Sequence, residues 1–133
     1  MTNVAFPPTL DRELSLLAFN ERVLAMAMRE DVPLAERLRY VCIVSSNLDE
    51  FFEVRVSDLA EAVRTEGSTA LTTYRDVLGR AHRLVHRQYA LYNDVIMPAL
   101  AGHGVVILHH AERTTEQREW VRDYMQRQVK PLL

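Results

Sequence analysis

PLAERLRYVCIVSSNLDEFFEVRVSDLAEAVR, residues 33–64, is the stretch on which the fold turns. Leu34, Leu38, Val41, Ser45, Leu48, Phe52, Val56, Leu59 and Val63 recur in steps of four and three. That rhythm places them on one face of a helix, apolar everywhere except Ser45. Pro33 suits the first helical position, where its missing N–H costs nothing. Ser45, Ser46 and Asn47 interrupt the middle with polar side chains and predict a kink or restart. Asn47 with Glu50 three residues on has the form of a capping box.

Reading backwards, residues 1–10 contain Pro7 and Pro8 and predict an extended arm. Ser15 is the expected N-cap of a first helix, with Leu14 as a hydrophobic staple. Leu16, Leu17, Phe19, Val23, Leu24, Ala27 and Met28 follow at helical spacing, and Asp31 to Pro33 end the run. Reading forwards, Thr65 to Thr73 predicts a polar turn around Gly67, and a third helix spans about Thr73 to Leu100. Its heptad-like row is Tyr74, Leu78, Ala81, Val85, Gln88, Tyr92, Val95 and Ala99, with a second row at Val77, Leu84 and Leu91.

Gly102 and Gly104 then punctuate the chain, and Val105 to Leu108 predicts a short buried strand. Thr114 to Gln128 predicts a last amphipathic helix carrying Trp120, Val121 and Tyr124, stopped by Pro131. A buried strand needs partners, and no second strand is evident. The expected fold is therefore mostly α: an antiparallel bundle of about three long helices (residues 1–103), followed by one strand and one helix that begin a further α/β domain (residues 104–133).

Composition excludes several classes. Hydrophobic residues at 48% and charged residues at 26% are those of a globular domain with a real core. The formal net charge of -2 and the lack of a basic half give no case for nucleic acid. Cys42, the single cysteine, permits no internal disulfide, suits a reducing compartment and is expected to pack among Tyr40, Val41 and Ile43. No apolar run approaches the ~18 residues of a membrane span, and residues 1–9 lack a signal-peptide pattern. The expected location is cytoplasmic, with peripheral membrane association compatible.

Candidate chemistry is sparse. Asp49, Glu50 and Glu53 form an acidic group expected to pair with Arg22, Arg39 or Arg55. No nucleophile or histidine accompanies them for acid–base work. His82 and His86 share a helix face at a spacing that can bind zinc, without an evident third ligand. His103, His109 and His110 flank the expected strand and have no supporting constellation. Arg37, Arg39 and Arg55 could steer a phosphate but also suit a wet helix face. Four glycines and no GxxxxGK[ST] leave no Gly-rich phosphate loop. Asn47 offers a donor and an acceptor on one amide.

Three segments carry a resemblance. Arg12 to Leu24, Pro33 to Tyr40 and above all Ser45-Ser46-Asn47-Leu48-Asp49-Glu50-Phe51-Phe52-Glu53-Val54-Arg55-Val56 resemble the opening of the polyphosphate kinases. The likeness covers roughly residues 11–133. It implies a domain that forms the adenine side of an ATP site, in an enzyme that reversibly moves the terminal phosphate of ATP onto inorganic polyphosphate. It also implies magnesium and a phosphorylated histidine elsewhere in the enzyme, ATP/ADP and polyphosphate as partners, and a homo-oligomer with subunit contacts through this domain. By position, Asn47 is the implied nucleotide contact. No catalytic or metal-binding residue of the family falls in this chain, so the fragment alone is expected to be inactive. Leu16 stands where the family usually has Trp, a change expected to alter packing alone. The alternative is a helical docking or oligomerisation module without nucleotide recognition, which the heptad-like third helix favours.

Overall fold

The structure, a computed structural model, describes residues 12–133. The expected arm over residues 1–10 lies outside the described residues. The chain divides into two compact units, Met1–Ala99 and Leu100–Leu133.

The first unit is built from three rods. α1 (Arg12–Met28) turns at residues 29–33 into α2 (Leu34–Glu50). The backbone then continues through a widened turn, Phe51–Val56, into α3 (Ser57–Glu66), with Glu50 and Ser57 both in the right-handed helical region. Gly67 reverses the chain into α4 (Ser68–Leu91), which runs through a second wide turn, Tyr92–Ile96, towards α5 (Met97–Gly102). The expected nine-residue turn is thus a single residue. Gly67 has φ 79° and ψ -135°, a conformation that only glycine adopts without strain. The polar residues on either side are then free to stay helical.

The partner pairs give the directions. Arg37 Nε donates to the Ala27 carbonyl at 2.8 Å, and Asn47 Nδ2 to Asn20 Oδ1 at 2.8 Å, so α1 and α2 are antiparallel. Arg80 meets Glu21 and Arg87 meets Met28, so α1 and α4 run together. The Arg37 bond also satisfies one of the last carbonyls of α1 across the turn. Pro33 is the N-cap of α2, one residue before the expected position. Its φ of -54° and ψ of 140° are extended, and its carbonyl accepts from Arg37 N at 3.0 Å. Ser15 is not an N-cap, because it lies within α1.

No kink occurs at Ser45 to Asn47. α2 is continuous there, and Asn47 caps nothing: its carbonyl accepts from Phe51 N inside the helix. The register shift comes later, in the wide turn at Phe51–Val56. Residues buried on α2 are Val41, Val44 and Leu48, joined by Phe51. On α1 they are Leu17, Asn20, Leu24 and Ala27, and on α4 Ala70, Val77, Ala81, Leu84, Gln88 and Leu91. The buried row of α4 is therefore Val77–Ala81–Leu84–Gln88–Leu91, which takes the whole expected second row together with Ala81 and Gln88 of the first. Both rows have helical spacing; the second presents the larger aliphatic side chains to the shared core.

Cys42 is exposed, contrary to the expected packing role. It follows Val41 by about 100° around α2 and so leaves the seam that Val41, Val44 and Leu48 form.

In the second unit, α5 ends at Gly102 and the chain leaves it through Gly104, φ 80°. Val105 N donates to Leu100 O and Gly104 N to Ala101 O, both at 3.0 Å, the paired bonds of a glycine-terminated helix. The expected strand at Val105 to Leu108 is absent. A strand is defined by its ladder, and among the described residues no segment pairs with this one. Val105, Val106, Ile107 and Leu108 are instead exposed. α6 (Thr115–Tyr124) does form. Thr114 Oγ1 accepts from Gln117 N at 3.2 Å, and Gln117 Oε1 accepts from Thr114 N at 2.9 Å. Trp120 and Tyr124 stack on its surface at 5.3 Å and are exposed.

Candidate functional site

Asn20 occupies a buried position of the α1 stripe where Leu or Ala would be ordinary, and it is 3% exposed. A buried amide must be hydrogen-bonded. Asn20 Nδ2 donates to the Leu16 carbonyl at 3.0 Å, and Asn20 Oδ1 accepts from Asn47 Nδ2 at 2.8 Å. Asn47 itself is half-buried and uses no other side-chain bond among the described residues. Its Oδ1 and its second N–H remain open.

Around this relay lies a cleft of about 320 Å³. Arg12, Leu16, Phe19 and Asn20 of α1 form one side. Asn47 and Glu50 of α2, with Phe51, Val54 and Arg55 of the wide turn, form the other. The volume falls at the lower end of small-molecule pockets. Apolar side chains (Leu16, Phe19, Phe51 and Val54) beside convergent polar groups suit a flat ligand with a hydrogen-bonding edge. Short π-type turns inside helices recur at functional sites. Here that turn places Phe51, Val54 and Arg55 on one rim. Phe19 is 49% exposed, and Arg22 lies 6.0 Å from its ring centroid.

The expected site residues separate. Asn47 and Arg55 meet in the cleft. Arg37 instead caps α1, and Arg39 pairs with Glu36 at 3.7 Å. Asp49, Glu50 and Glu53 form no ion pair among the described residues, contrary to the expected pairing with Arg22, Arg39 or Arg55. α2 carries Asp49 and Glu50 on exposed positions, where solvation replaces a partner. His82 stacks on Phe52 at 6.3 Å. His86, His103, His109 and His110 are exposed. No group of three or more His, Cys, Asp or Glu among the described residues could hold a metal ion. Arg12, Leu16, Phe19, Asn20, Phe51 and Val54 are the cleft residues that the sequence did not single out as site residues. Asn20 was findable, since a polar residue on an apolar stripe demands a partner.

A second groove, about 390 Å³, is lined by Val41, Cys42, Ser45, Ser46, Gln88, Tyr89 and Tyr92. Its floor is structural: the buried Gln88 donates to Val41 O at 3.0 Å and Ser45 Oγ at 2.9 Å, tying α4 to α2.

On the flank of α1, Arg80 holds Glu21 by two bonds, at 3.0 and 2.7 Å. The Arg80 hydrogen bond pulls the Glu21 carboxyl below its usual value of 4.5, desolvation opposes it, and the charges of Arg80, Arg87 and Arg83 add to the lowering. A lowered folded pKa stabilises the fold above the unfolded value and loses that contribution as pH falls through the folded one. We predict that chemical denaturation at pH 7 and pH 3 shows a larger acid loss for the natural chain than for Glu21→Gln. The difference should be about 1 kcal/mol, for a bidentate but partly solvated pair.

The fold and the cleft define a helical wall, two antiparallel helices opening on a polar-floored cleft. The polyphosphate kinase N-terminal domain matches residues 9–108. The polyphosphate kinase of Burkholderia cenocepacia (strain HI2424) is 46% identical over 133 residues, spanning 95% of this chain. That of Paraburkholderia phytofirmans is 46% identical over 134 residues, again spanning 95%. The crystal structure of polyphosphate kinase from Porphyromonas gingivalis superposes with a TM-score of 0.69 at 32% identity, covering 96% of this chain and 19% of that one. The chain belongs to the polyphosphate kinase family, through its N-terminal domain. It spans 19% of the length of these two curated relatives.

Proposed function

We propose that this chain is the nucleotide-facing domain of an enzyme that reversibly transfers the terminal phosphate of ATP to inorganic polyphosphate. It forms the adenine side of the ATP site, and Asn47 is the contact that reads the base. The observation that carries this reading is the open amide edge of Asn47 at the floor of a cleft lined by both apolar and polar side chains. An acceptor beside a donor matches the N6 and ring-nitrogen edge of adenine. The half-exposed Phe19 supplies aromatic surface, and Arg12 and Arg55 supply positive charge on the rim for the phosphates.

The domain's contribution is positioning, which accelerates transfer only once the reacting groups are present. Residues 1–103 form this domain and 104–133 begin the next. The chain has no catalytic residue of its own, and alone it is inactive. Magnesium belongs to the transfer step; among the described residues no carboxylates converge on a site for it, and no step here runs through it. Homo-oligomeric assembly and a cytoplasmic location belong to the same reading. Among the described residues no helix is long and apolar enough to cross a membrane.

The docking alternative loses its main support, since the Val77–Leu91 seam of α4 is consumed inside the first unit. The test is the dissociation constant for ATP of the chain with Asn47→Ala. A selective loss supports nucleotide recognition, and unchanged binding supports docking.

A further inference from the structure

We propose that Asn20, which does not itself read the base, is the residue that makes the cleft selective for a 6-amino purine over a 6-oxo purine. The inference rests on the reading of Asn47 as the base contact. It starts from an atom that cannot change roles. The Leu16 carbonyl is an acceptor only, so the end of Asn20 facing it at 3.0 Å is Nδ2. Asn20 Oδ1 must then face Asn47, and Asn47 must answer with Nδ2, at 2.8 Å. Oδ1 and Nδ2 lie on opposite sides of an amide, so Asn47 Oδ1 is turned away from Asn20. The relay is held in place because Asn20 is 3% exposed and fixed in the α1 stripe between Leu17 and Leu24.

The chemistry of selection follows. Asn47 Oδ1 accepts from the exocyclic amine of adenine. A 6-oxo purine presents an acceptor at the same place. Welcoming it in the pose that adenine takes requires the Asn47 amide to turn over, which sets Asn47 Oδ1 against Asn20 Oδ1 with no proton between them. A buried acceptor without a donor is expensive. Asn20 therefore acts as a positioning residue through Asn47. Without it, the Asn47 amide is free to present either end, and discrimination falls.

The test compares ATP with inosine triphosphate, which carries the same sugar and phosphates and a 6-oxo base. Dissociation constants are measured on the 133-residue chain by NMR titration. The natural chain should prefer ATP by roughly tenfold, the usual discrimination of one good amide–base pair. Asn20→Leu keeps the volume and removes both bonds. It should bring the two affinities to within about twofold of each other. A purely structural role for Asn20 would weaken both nucleotides alike and leave their ratio unchanged. If Asn20→Leu does not fold, Asn20→Ser replaces it: the hydroxyl is too short to reach Asn47, and the same loss is expected.

An unchanged ratio in the Leu or Ser variant overturns the proposal, as does a natural chain that binds both nucleotides equally. If Asn47→Ala weakens ATP while the Asn20 variants keep the ratio, only the role of Asn20 fails. If Asn47→Ala leaves ATP binding intact, the reading of the site fails and takes this inference with it.

Discussion

Asn47→Ala should raise the dissociation constant for ATP by roughly tenfold, within the range of one lost amide–base contact. The substitution removes the open Oδ1 and N–H without touching the cleft walls at Leu16, Phe19, Phe51 and Val54. It also deprives Asn20 Oδ1 of its donor. That acceptor becomes unsatisfied beside an open cleft that water can enter, at a cost of about 1 kcal/mol in stability. A cost of that size leaves the first unit folded at room temperature, so the change in affinity is not a loss of folded protein. Pyrophosphate or polyphosphate binding should change far less than ATP binding, because Asn47 is assigned to the base. Calorimetric or NMR titration of both ligands checks the contrast.

Leu24→Ala should lower stability by about 2–5 kcal/mol, the range for emptying a packed leucine site. Leu24 is 0% exposed and lies between Asn20 and Ala27 on the buried face of α1. The helices around it contribute Val41, Val44 and Leu84 to the same core, all at 5% exposure or less. Three rods sharing one core cannot close a cavity on one of them without shifting the others. For a unit of about 100 residues, each kcal/mol moves the melting temperature by about 4–8 °C. A fall of roughly 10 °C or more in a thermal melt followed by circular dichroism is the expected reading. The same substitution at the half-exposed Met28 should shift it little.

The rods were legible because long helices repeat their pattern many times. The apolar rhythm from Leu34 to Val63 and the chain reversal at Gly67 were both readable from residue types. Boundaries were less so. Ser15 has the right side chain for a cap, yet nothing local to it says that α1 already covers Arg12. Both rows of the α4 stripe were readable, but which of their residues are fully buried depends on what α1 and α2 present, which no single helix encodes. Val105 to Leu108 has the composition of a buried strand, but a strand exists only with a partner, and composition does not supply one.

At the site, the resemblance singled out Asn47, and spacing alone favoured a cap. Its environment was hidden because Asn20 lies 27 residues earlier, and the hydrogen bond between them is tertiary. The wide turn at Phe51–Val56, which swings Arg55 towards the cleft, has no sequence signature of its own.

The central claim is that the cleft between α1 and the end of α2 receives the adenine of ATP. The most direct measurement is a titration of ATP to millimolar concentration into the isotope-labelled chain, followed by its amide resonances. The account predicts saturable shifts of the Asn47 and Asn20 side-chain amides and of the backbone amides of Phe19, Phe51 and Arg55. Shifts confined to the groove at Ser45, Gln88, Tyr89 and Tyr92, or no saturable shift anywhere, would contradict it.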